Sequence, residues 1–344
     1  MRQWFWRGQQ LDAGLLQQAR QRGPAAADLE HQLAITDEFS RHALRARSQD
    51  KTHCANKDQP HRGIIFAHDG RGNVRPCGCR VDLGQLCPTM RALLLNLLPK
   101  VLLSRLTGLL ASIPLPRALR VPFFRWFARR YGADLGQVAA PLASFRSLQA
   151  FFRRELRPGS RPVGTTQLVW PCDGRIVTAG PIANGRILQV KGRDYSLADL
   201  LADADLARAL EGGTQATVYL APGDYHRVHA PFAGEVRRVI AVPGTLFPVN
   251  SPAVACIRDL FARNSRHVFD CQLTDGRRAA VVMVGAFNVG GTIVTAAKGT
   301  RIECGSELGQ FGFGSTAIAI VARGGTQFSD AAPALRVWAG TAAC

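Results

Sequence analysis

Beyond Val163 the sequence alternates short runs of β-branched and apolar residues with glycine- and proline-rich turns. Such runs, bounded by turn residues, are typical of strands in a mostly antiparallel β structure. The strands are predicted at Gly174–Thr178, Ala216–Leu220, Val236–Ile240, Arg278–Val284, Gly291–Thr295 and Thr316–Val321. One helix, over Ser196–Leu210 with Ser196 as its N-cap, is predicted to interrupt them.

Arg91–Pro162 has a different, helical pattern, with leucine-rich turns and a break in the Pro114–Pro122 region. Arg125 and Arg129 fall opposite a broad aromatic face. That face carries Phe123, Phe124, Trp126, Phe127 and Tyr131. Two interpretations stay open: a basic amphipathic helix in a bilayer interface near anionic headgroups, or a helix packed on the protein core with a solvated charged face.

These patterns divide the chain into three segments of an α+β protein. Residues 90–162 form a helical, membrane-associating region, and residues 163–344 form a β-rich domain. Residues 1–89 have few sustained apolar periods, and Met90 stands just before the patterned part. We therefore interpret residues 1–89 as an extension of unknown structure that the chemistry does not need, or as an artefact of an upstream start.

Charge is concentrated in the middle segment. The 344-residue chain has a formal net charge of +18, of which residues 90–163 carry +11. The hydrophobic fraction of 47% is enough for a buried core. A basic segment favours an anionic partner, and a membrane surface fits better than nucleic acid, for which no recognition motif is present.

The most apolar stretch, Leu93–Leu115, contains charged residues and a proline, so no membrane-spanning helix is predicted.

Cysteines and histidines give no clear metal or disulfide pattern. The nine cysteines lack a repeating spacing, and no signal-peptide pattern opens the chain, which favours a reducing, cytosolic compartment. The candidates for a zinc site are Cys54, Cys77, Cys79, Cys87, His53 and His61. Paired CxxC spacings are missing among them, so no metal is predicted.

The stretch with the most specific chemistry is Glu307-Leu-Gly-Gln-Phe-Gly-Phe-Gly-Ser-Thr316, which leads into a predicted strand. Ser315 Oγ can attack the uncrowded carbonyl carbon of Gly314, which shifts the acyl group from nitrogen to oxygen. β-Elimination of that ester would release a chain ending at Gly314 and leave dehydroalanine, which hydrolyses to a pyruvoyl group and ammonia. The alternative is an ordinary turn, where glycine and serine are favoured for backbone reasons.

Two further clusters carry titratable groups. Tyr219-Leu-Ala-Pro-Gly-Asp-Tyr-His-Arg-Val-His-Ala-Pro231 places His226 and His229 three residues apart, so a turn is needed if both are to face one site. Such a pair is structural, a metal site or a source of general bases. In Trp170-Pro-Cys-Asp-Gly-Arg-Ile176, Asp173 either belongs to a turn or orients a histidine that acts as base.

These three clusters, in this order, resemble the pyruvoyl-dependent phosphatidylserine decarboxylase proenzyme family. The resemblance extends from about Arg91 to the last predicted strand. Its further blocks are Phe151-Phe-Arg-Arg-Glu-Leu-Arg-Pro158, Val190-Lys-Gly-Arg-Asp-Tyr-Ser-Leu197, Gly244-Thr-Leu-Phe-Pro-Val-Asn250 and Val284-Gly-Ala-Phe-Asn-Val-Gly290. Two parts depart from the family: residues 1–89 have no counterpart, and extra residues stand at Arg301-Ile-Glu-Cys-Gly-Ser306.

The resemblance implies a role for each matching position. The Gly314–Ser315 bond would be the self-cleavage site, and Ser315 would become the pyruvoyl group. Asp173, His229 and Ser315 would form the triad for cleavage, with His229 as base. His226 would handle the substrate carboxylate or the proton delivered after CO2 leaves. The pyruvoyl group accepts the electrons released with CO2, so no diffusible cofactor is expected.

The resemblance also implies a substrate, partners and a location. The expected reaction converts phosphatidylserine to phosphatidylethanolamine, at the cytoplasmic face of the cell membrane, by a peripheral enzyme. The large and small chains would stay associated, and a homodimer is compatible with the pattern. Two alternatives remain: a pyruvoyl decarboxylase of another amino acid substrate, and an inactive lipid-surface binding protein with the same fold.

Overall fold

A computed structural model describes residues 100–190, 193–287, 291–312, 315–328 and 334–343. All of them belong to one compact unit, Val81–Cys344. The predictions for residues 1–89, including the candidate zinc ligands, and for Gly314 lie outside the described residues.

The first part of the described chain is helical. Its helices are α1 (Lys100–Ser112), α2 (Arg117–Tyr131) and the short α3 (Leu148–Phe152). The break between α1 and α2 contains Pro114 and Pro116, but Pro122 lies inside α2, where a proline costs one helical hydrogen bond. Between Tyr131 and Leu148 the chain has only two turns of 3-10 helix, so the helical part is shorter than the sequence pattern predicts.

The aromatic residues of α2 divide between the core and the surface. Phe124 and Phe127 are buried and pack against Phe151 and Phe152 of α3. Trp126 of the same helix is 51% exposed. The core-packing interpretation therefore accounts for the two buried rings, and the exposed apolar surface of this region lies mainly on α1.

The rest of the described chain is built from β-strands. In chain order these are β1 (Gly174–Pro181), β2 (Arg186–Val190), β3 (Arg193–Ser196), β4 (Thr214–Leu220), β5 (Arg227–His229), β6 (Gly234–Val242), β7 (Arg266–Leu273), β8 (Arg278–Val284), β9 (Thr292–Val294), β10 (Arg301–Ile302), β11 (Glu307–Phe311), β12 (Ser315–Val321) and β13 (Arg336–Val337). Eight of them form one sheet in the order β10-β6-β7-β8-β12-β4-β1-β13, and β5-β11-β9 form a smaller sheet. The pairings between these strands are antiparallel, so the predicted α+β class with a mostly antiparallel sheet is confirmed.

Both faces of the large sheet are covered. Short helices pack on one face: α4 (Leu197–Leu201), α5 (Ala204–Leu210), α6 (Ser251–Cys256) and α7 (Leu260–Arg263). The smaller sheet covers the other face through residues such as Val228, Leu308 and Phe311. All seven residues of β12 are buried, which is expected for a central strand with a core on each side.

The predicted helix Ser196–Leu210 is two helices. Ser196 does cap the first one, because its side chain accepts a hydrogen bond from the Asp199 N–H. Ala202 then adopts a left-handed conformation, and the Asp203 carboxylate accepts a hydrogen bond from Leu206 N–H to begin the second helix. A second N-cap residue inside an apolar helical pattern is thus the signal that divides it.

All six predicted strands are present, and β7 is the largest strand that the sequence pattern missed. Arg266, Asp270 and Gln272 interrupt its apolar run. Arg238 Nε donates to Asp270, and Arg278 pairs with the same carboxylate, so its charge is satisfied by arginines of the two neighbouring strands. Cross-strand pairs of this kind become visible only when the strand order is known.

No helix in the described part of the chain is both long and apolar enough to span a membrane.

The helical region touches the β domain at the loop after β4. An added Cβ at Gly223 would lie 2.0 Å from Tyr131 O, at the end of α2. Gly223 O also accepts a 2.8 Å hydrogen bond from Arg154, which follows α3. This close contact fixes where the loop leaves β4.

We expect Gly223→Ala to destabilise the protein by about 1–3 kcal/mol, because its methyl group must push the loop away from the end of α2. The measurement is the free energy of unfolding in urea. Gly164→Ala is the control, since a Cβ there meets its nearest neighbours at an ordinary 3.5 Å. Equal stability of the two variants would contradict the proposed contact.

Candidate active site

One edge of the large sheet collects the predicted site residues. At this edge β1 and β12 begin while β4 and β8 end: Ser315 is the register partner of Leu220, and Thr316 is paired with Tyr219 and Val284. Asp173 directly precedes β1. The chain leaving β4 turns at residues 222–224, before both histidines. His226 directly precedes the extended strand β5 and His229 ends it, so the turn between them that one shared site would require is not found among these residues.

Ser315 is the first residue of β12 and has no exposed surface. Its Oγ has no hydrogen-bond partner among the described residues. Burying a hydroxyl without a partner costs free energy, so such a group calls for an explanation, and a catalytic role is one; the Thr316 hydroxyl beside it is also unpartnered among these residues. An unsolvated, unpaired oxygen is also well suited to act as a nucleophile.

His226 is fully buried and held in one tautomer. Its Nδ1 lies 2.8 Å from the backbone carbonyl oxygen of Asp224, which can only accept, so Nδ1 carries the proton. Nε2 is then the unprotonated nitrogen, and it has no partner in the described part of the chain. Burial, with a smaller contribution from the charge of Arg154, lowers the pKa of His226 to about 3. His226 is therefore a neutral hydrogen-bond acceptor at physiological pH.

His229, at the end of β5, is also oriented by a backbone carbonyl. Nδ1 is 2.8 Å from Gly305 O, and Nε2 is 3.3 Å from the Tyr225 hydroxyl. Burial lowers the pKa of His229, while the Gly305 hydrogen bond and the charges of Glu307 and Asp173 oppose that shift. Gly305 belongs to the extra residues of Arg301–Ser306, so this departure from the family pattern contacts the site.

Asp173 is buried and held by partners other than histidine. Arg161 Nε donates to Oδ1 at 2.8 Å, and Arg161 Nη2 donates to Oδ2. The backbone N–H of Ala339 donates to Oδ1 at 3.0 Å. Among the described residues no hydrogen bond joins Asp173 to His229, so the carboxylate acts on the imidazole through its charge and not by direct contact.

Asp224 is a buried residue that links the site to the segment after β12. Its carboxylate accepts from Ala221 N–H and pairs with Arg336, both at 2.7 Å. Its backbone oxygen accepts from His226 Nδ1 and from Arg154 Nη2, both at 2.8 Å. Burial raises the pKa of Asp224, and Arg336 opposes the rise. Asp224 thus fixes the position of His226.

Arg154 is a buried cation whose described hydrogen bonds go only to backbone carbonyls. It is 3% exposed and lies 4.8 Å above the Phe151 ring. Burial lowers its pKa to about 10, opposed by the charges of Asp173 and Asp224, so it remains charged at neutral pH. A buried charge is tolerated only with such compensation.

The sequence patterns named Asp173, His226, His229 and Ser315 but not the residues that hold them. Asp224 and Tyr225 lie inside the segment Tyr219–Pro231, and their polar character beside the histidines was the available signal. Arg161 and Arg336 stand in no motif, and only the fold brings them to the site. In the described part of the chain no group of three or more histidine, cysteine or acidic side chains could hold a metal ion.

Comparison with known proteins gives a consistent result. The sequence model of the family described as phosphatidylserine decarboxylase matches residues 148–343, and a second model, described as PSD, matches residues 90–132. A protein of Pseudomonas aeruginosa named phosphatidylserine decarboxylase proenzyme is 42% identical, with 68% of this chain and 89% of the relative covered. Relatives of the same name from Pseudomonas entomophila and Pseudomonas fluorescens are 41% and 40% identical, each with 65% of this chain and 86% of the relative covered.

The neutral state of His226 predicts an acid-sensitive contribution to stability. The unfolded chain binds a proton at this imidazole below about pH 6.5 whereas the folded chain does not until about pH 3, so stability is lost as pH falls through that window. We expect His226→Gln to remove this dependence, which amounts to about 1 kcal/mol per pH unit. The measurement is the free energy of unfolding of both proteins between pH 7.5 and 5.

Both proteins should also carry Ser315→Ala, so that a single intact chain is compared. A difference in stability between them that does not change with pH would contradict the assigned tautomer and burial.

Proposed function

Because this chain belongs to the phosphatidylserine decarboxylase family, we propose that it converts phosphatidylserine to phosphatidylethanolamine and CO2, using a pyruvoyl group made from its own Ser315. The observation that carries the proposal is the buried, unpartnered Ser315 hydroxyl at the first position of a central strand. The same relatives support a membrane-associated enzyme that is made as a proenzyme.

The proposed self-cleavage is an acyl shift followed by an elimination. Ser315 Oγ gives up its proton and bonds to the carbonyl carbon of Gly314, while the bond from that carbon to the Ser315 nitrogen breaks and the nitrogen takes up a proton to become an amine. Loss of the Ser315 Cα proton then breaks the Cβ–Oγ bond and releases Gly314 as a carboxylate. Water converts the remaining dehydroalanine to the pyruvoyl group and ammonia.

His229 is the proposed base for the Ser315 proton. Gly305 O fixes its Nδ1–H, which leaves Nε2 unprotonated and able to accept a proton. Burial lowers the pKa of His229, and the charge of Asp173 partly opposes that shift and so favours the imidazolium that would form. This role needs no Asp173–His229 hydrogen bond, because a nearby buried carboxylate interacts with the cation at longer range.

His226 is the proposed partner of the substrate in decarboxylation. Its neutral Nε2 is buried and unpaired, so it can accept a hydrogen bond from a substrate group. With its pKa lowered to about 3, it holds no proton of its own to deliver at neutral pH. A pyruvoyl group at residue 315 would supply the carbonyl that takes up the substrate amine and the electron pair released with CO2. The unpaired Ser315 and His226 atoms at this edge are compatible with such a group.

We also propose that both products of cleavage stay together. The strand that begins at Ser315 lies between β4 and β8, with backbone hydrogen bonds on both sides. β13 pairs with β1. Separating the two chains would expose the core on both faces of β12. The free-energy cost is about 25 cal/mol for each Å² of apolar surface that is exposed to water.

Peripheral attachment at the cytoplasmic face of the membrane is proposed to occur through α1. Four apolar side chains of α1 and that of the next residue lie on one face and are 51–67% exposed: Leu102, Leu106, Leu109, Leu110 and Ile113. An exposed apolar face of this size is what a helix in a bilayer interface requires, and the basic residues of this segment favour an anionic surface.

The direct test of the proposed function is the mass of the purified protein. We expect wild type to give two fragments, the smaller beginning with a pyruvoyl group, that elute together on gel filtration and separate in denaturant. Ser315→Ala should give one intact chain without decarboxylase activity. Thr316→Ser keeps a hydroxyl at the next buried position and should still cleave. An intact wild-type chain would overturn the proposal.

The two histidines should affect different steps. We expect His229→Ala to slow self-cleavage by about 10²–10⁴-fold, the usual effect of losing a general base, and Asp173→Asn to slow it less. His226→Ala should cleave but decarboxylate about 10²-fold more slowly. The measurements are the fraction cleaved over time and CO2 release per pyruvoyl group.

His267→Gln serves as the control for this series, because His267 lies in β7 outside the proposed site. Equal cleavage and equal activity in all the histidine variants would contradict the assignment of roles.

A further inference from the structure

A groove of about 640 Å³ lies between α1, α3 and the segment after β6. Its walls include Arg105, Leu109 and Ser112 of α1, Gln149 of α3, and Leu246 and Gly291. The volume is within the range of about 300–1,000 Å³ that is typical of small-molecule sites. None of the predicted catalytic residues lines it.

One end of the groove lies beside the edge of the sheet where Ser315 is found. Gly312 N–H donates a 2.9 Å hydrogen bond to Gly291 O, and Gly312 is three residues before Ser315. Leu246, another residue that lines the groove, is also close to this edge: a Cβ added at Gly285 would lie 3.4 Å from Leu246 Cδ2. Gly285 follows Val284, the register partner of Thr316.

The other side of the groove continues into the exposed apolar face of α1. Leu109 lines the groove and is 67% exposed. Leu106 and Leu110, on the same face of α1, are also more than half exposed. The groove therefore joins the surface proposed to enter the bilayer with the edge that carries Ser315.

The side chains that line the groove include one positive charge, that of Arg105. Arg105 is the one charged side chain lining it among the described residues, and it has no ion-pair partner there. The neutral polar side chains Ser112 and Gln149 already hydrogen-bond to each other at 2.7 Å. A phosphodiester carries one negative charge and joins a polar headgroup to apolar chains, which matches this arrangement.

We propose that this groove binds the glycerophosphate part of the phospholipid substrate, with the phosphodiester on Arg105 and the first carbons of the acyl chains along Leu109 and Leu246. Bound in this way, the lipid places its headgroup toward Ser315 without leaving the interface. The inference rests on the proposed function and adds to it: the enzyme selects a phosphodiester-linked serine, and free serine lacks the part that the groove holds.

The test compares Arg105→Ala with Arg125→Ala, since both remove one exposed arginine from the helical region but only Arg105 lines the groove. The substrates are a short-chain phosphatidylserine kept below its micelle concentration, phosphatidylserine vesicles and free serine. We expect Arg105→Ala to raise KM for the soluble lipid about tenfold, the cost of one charge-assisted hydrogen bond. Arg105→Lys should recover part of the loss, and Arg125→Ala should affect only the vesicles.

A second pair of variants fills the groove without removing charge. Gly108 lines the groove within α1, so Gly108→Leu should raise KM for phosphatidylserine whereas Gly108→Ala should not. Both substitutions improve helix propensity, so loss of the helix would not explain a difference.

The outcomes separate this inference from the function itself. A wild-type chain that is uncut or lacks decarboxylase activity would refute the proposed function. If all variants are cut and active but Arg105→Ala and Arg125→Ala have the same KM for the soluble lipid, the groove is not the phosphate site. Equal use of free serine and short-chain lipid by wild type would also overturn the inference.

Discussion

The pairing of β12 between β4 and β8 is the constraint on which the site depends. Pairing with β4 begins at Ser315 and pairing with β8 begins at Thr316, which fixes the start of the strand, and the core on each face removes water from the Ser315 hydroxyl. A serine at an edge strand would be solvated and mobile, and its oxygen would have many partners. The same pairing holds the fragment that begins at Ser315, so one feature of the sheet serves both the proposed cleavage and the proposed assembly.

Buried charges organise the surroundings of this strand. Arg161 neutralises Asp173, Arg336 pairs with Asp224, and Arg154 binds backbone carbonyls beside His226. Each pair costs desolvation, and ion pairs of this kind seldom add much net stability. Their effect here is geometric: the carbonyl oxygen of Asp224 is held in place, and it sets the tautomer of His226.

Local pattern in the sequence was sufficient for the α+β class and for the positions of six strands, because alternation and turn residues are short-range properties. It was not sufficient for β7, since the charge of Asp270 is compensated by arginines on two other strands. It also failed at Pro122, which α2 accommodates, and at Asp203, whose side chain begins a second helix. At the candidate site, motifs named the four candidate side chains, but Arg161, Arg336 and Gly305 stand outside those motifs and have no local signature.

The hydrogen bond from Ala339 N–H to Asp173 has a consequence for the order of events during synthesis. Residue 339 leaves the ribosome after Ser315, so a nascent chain that ends shortly beyond Ser315 has not yet placed this donor on the carboxylate. Arg336, which pairs with Asp224, is equally late. The bond proposed to break is thus translated before the groups that complete its surroundings, so the order of the sequence would disfavour the proposed cleavage in an incomplete chain.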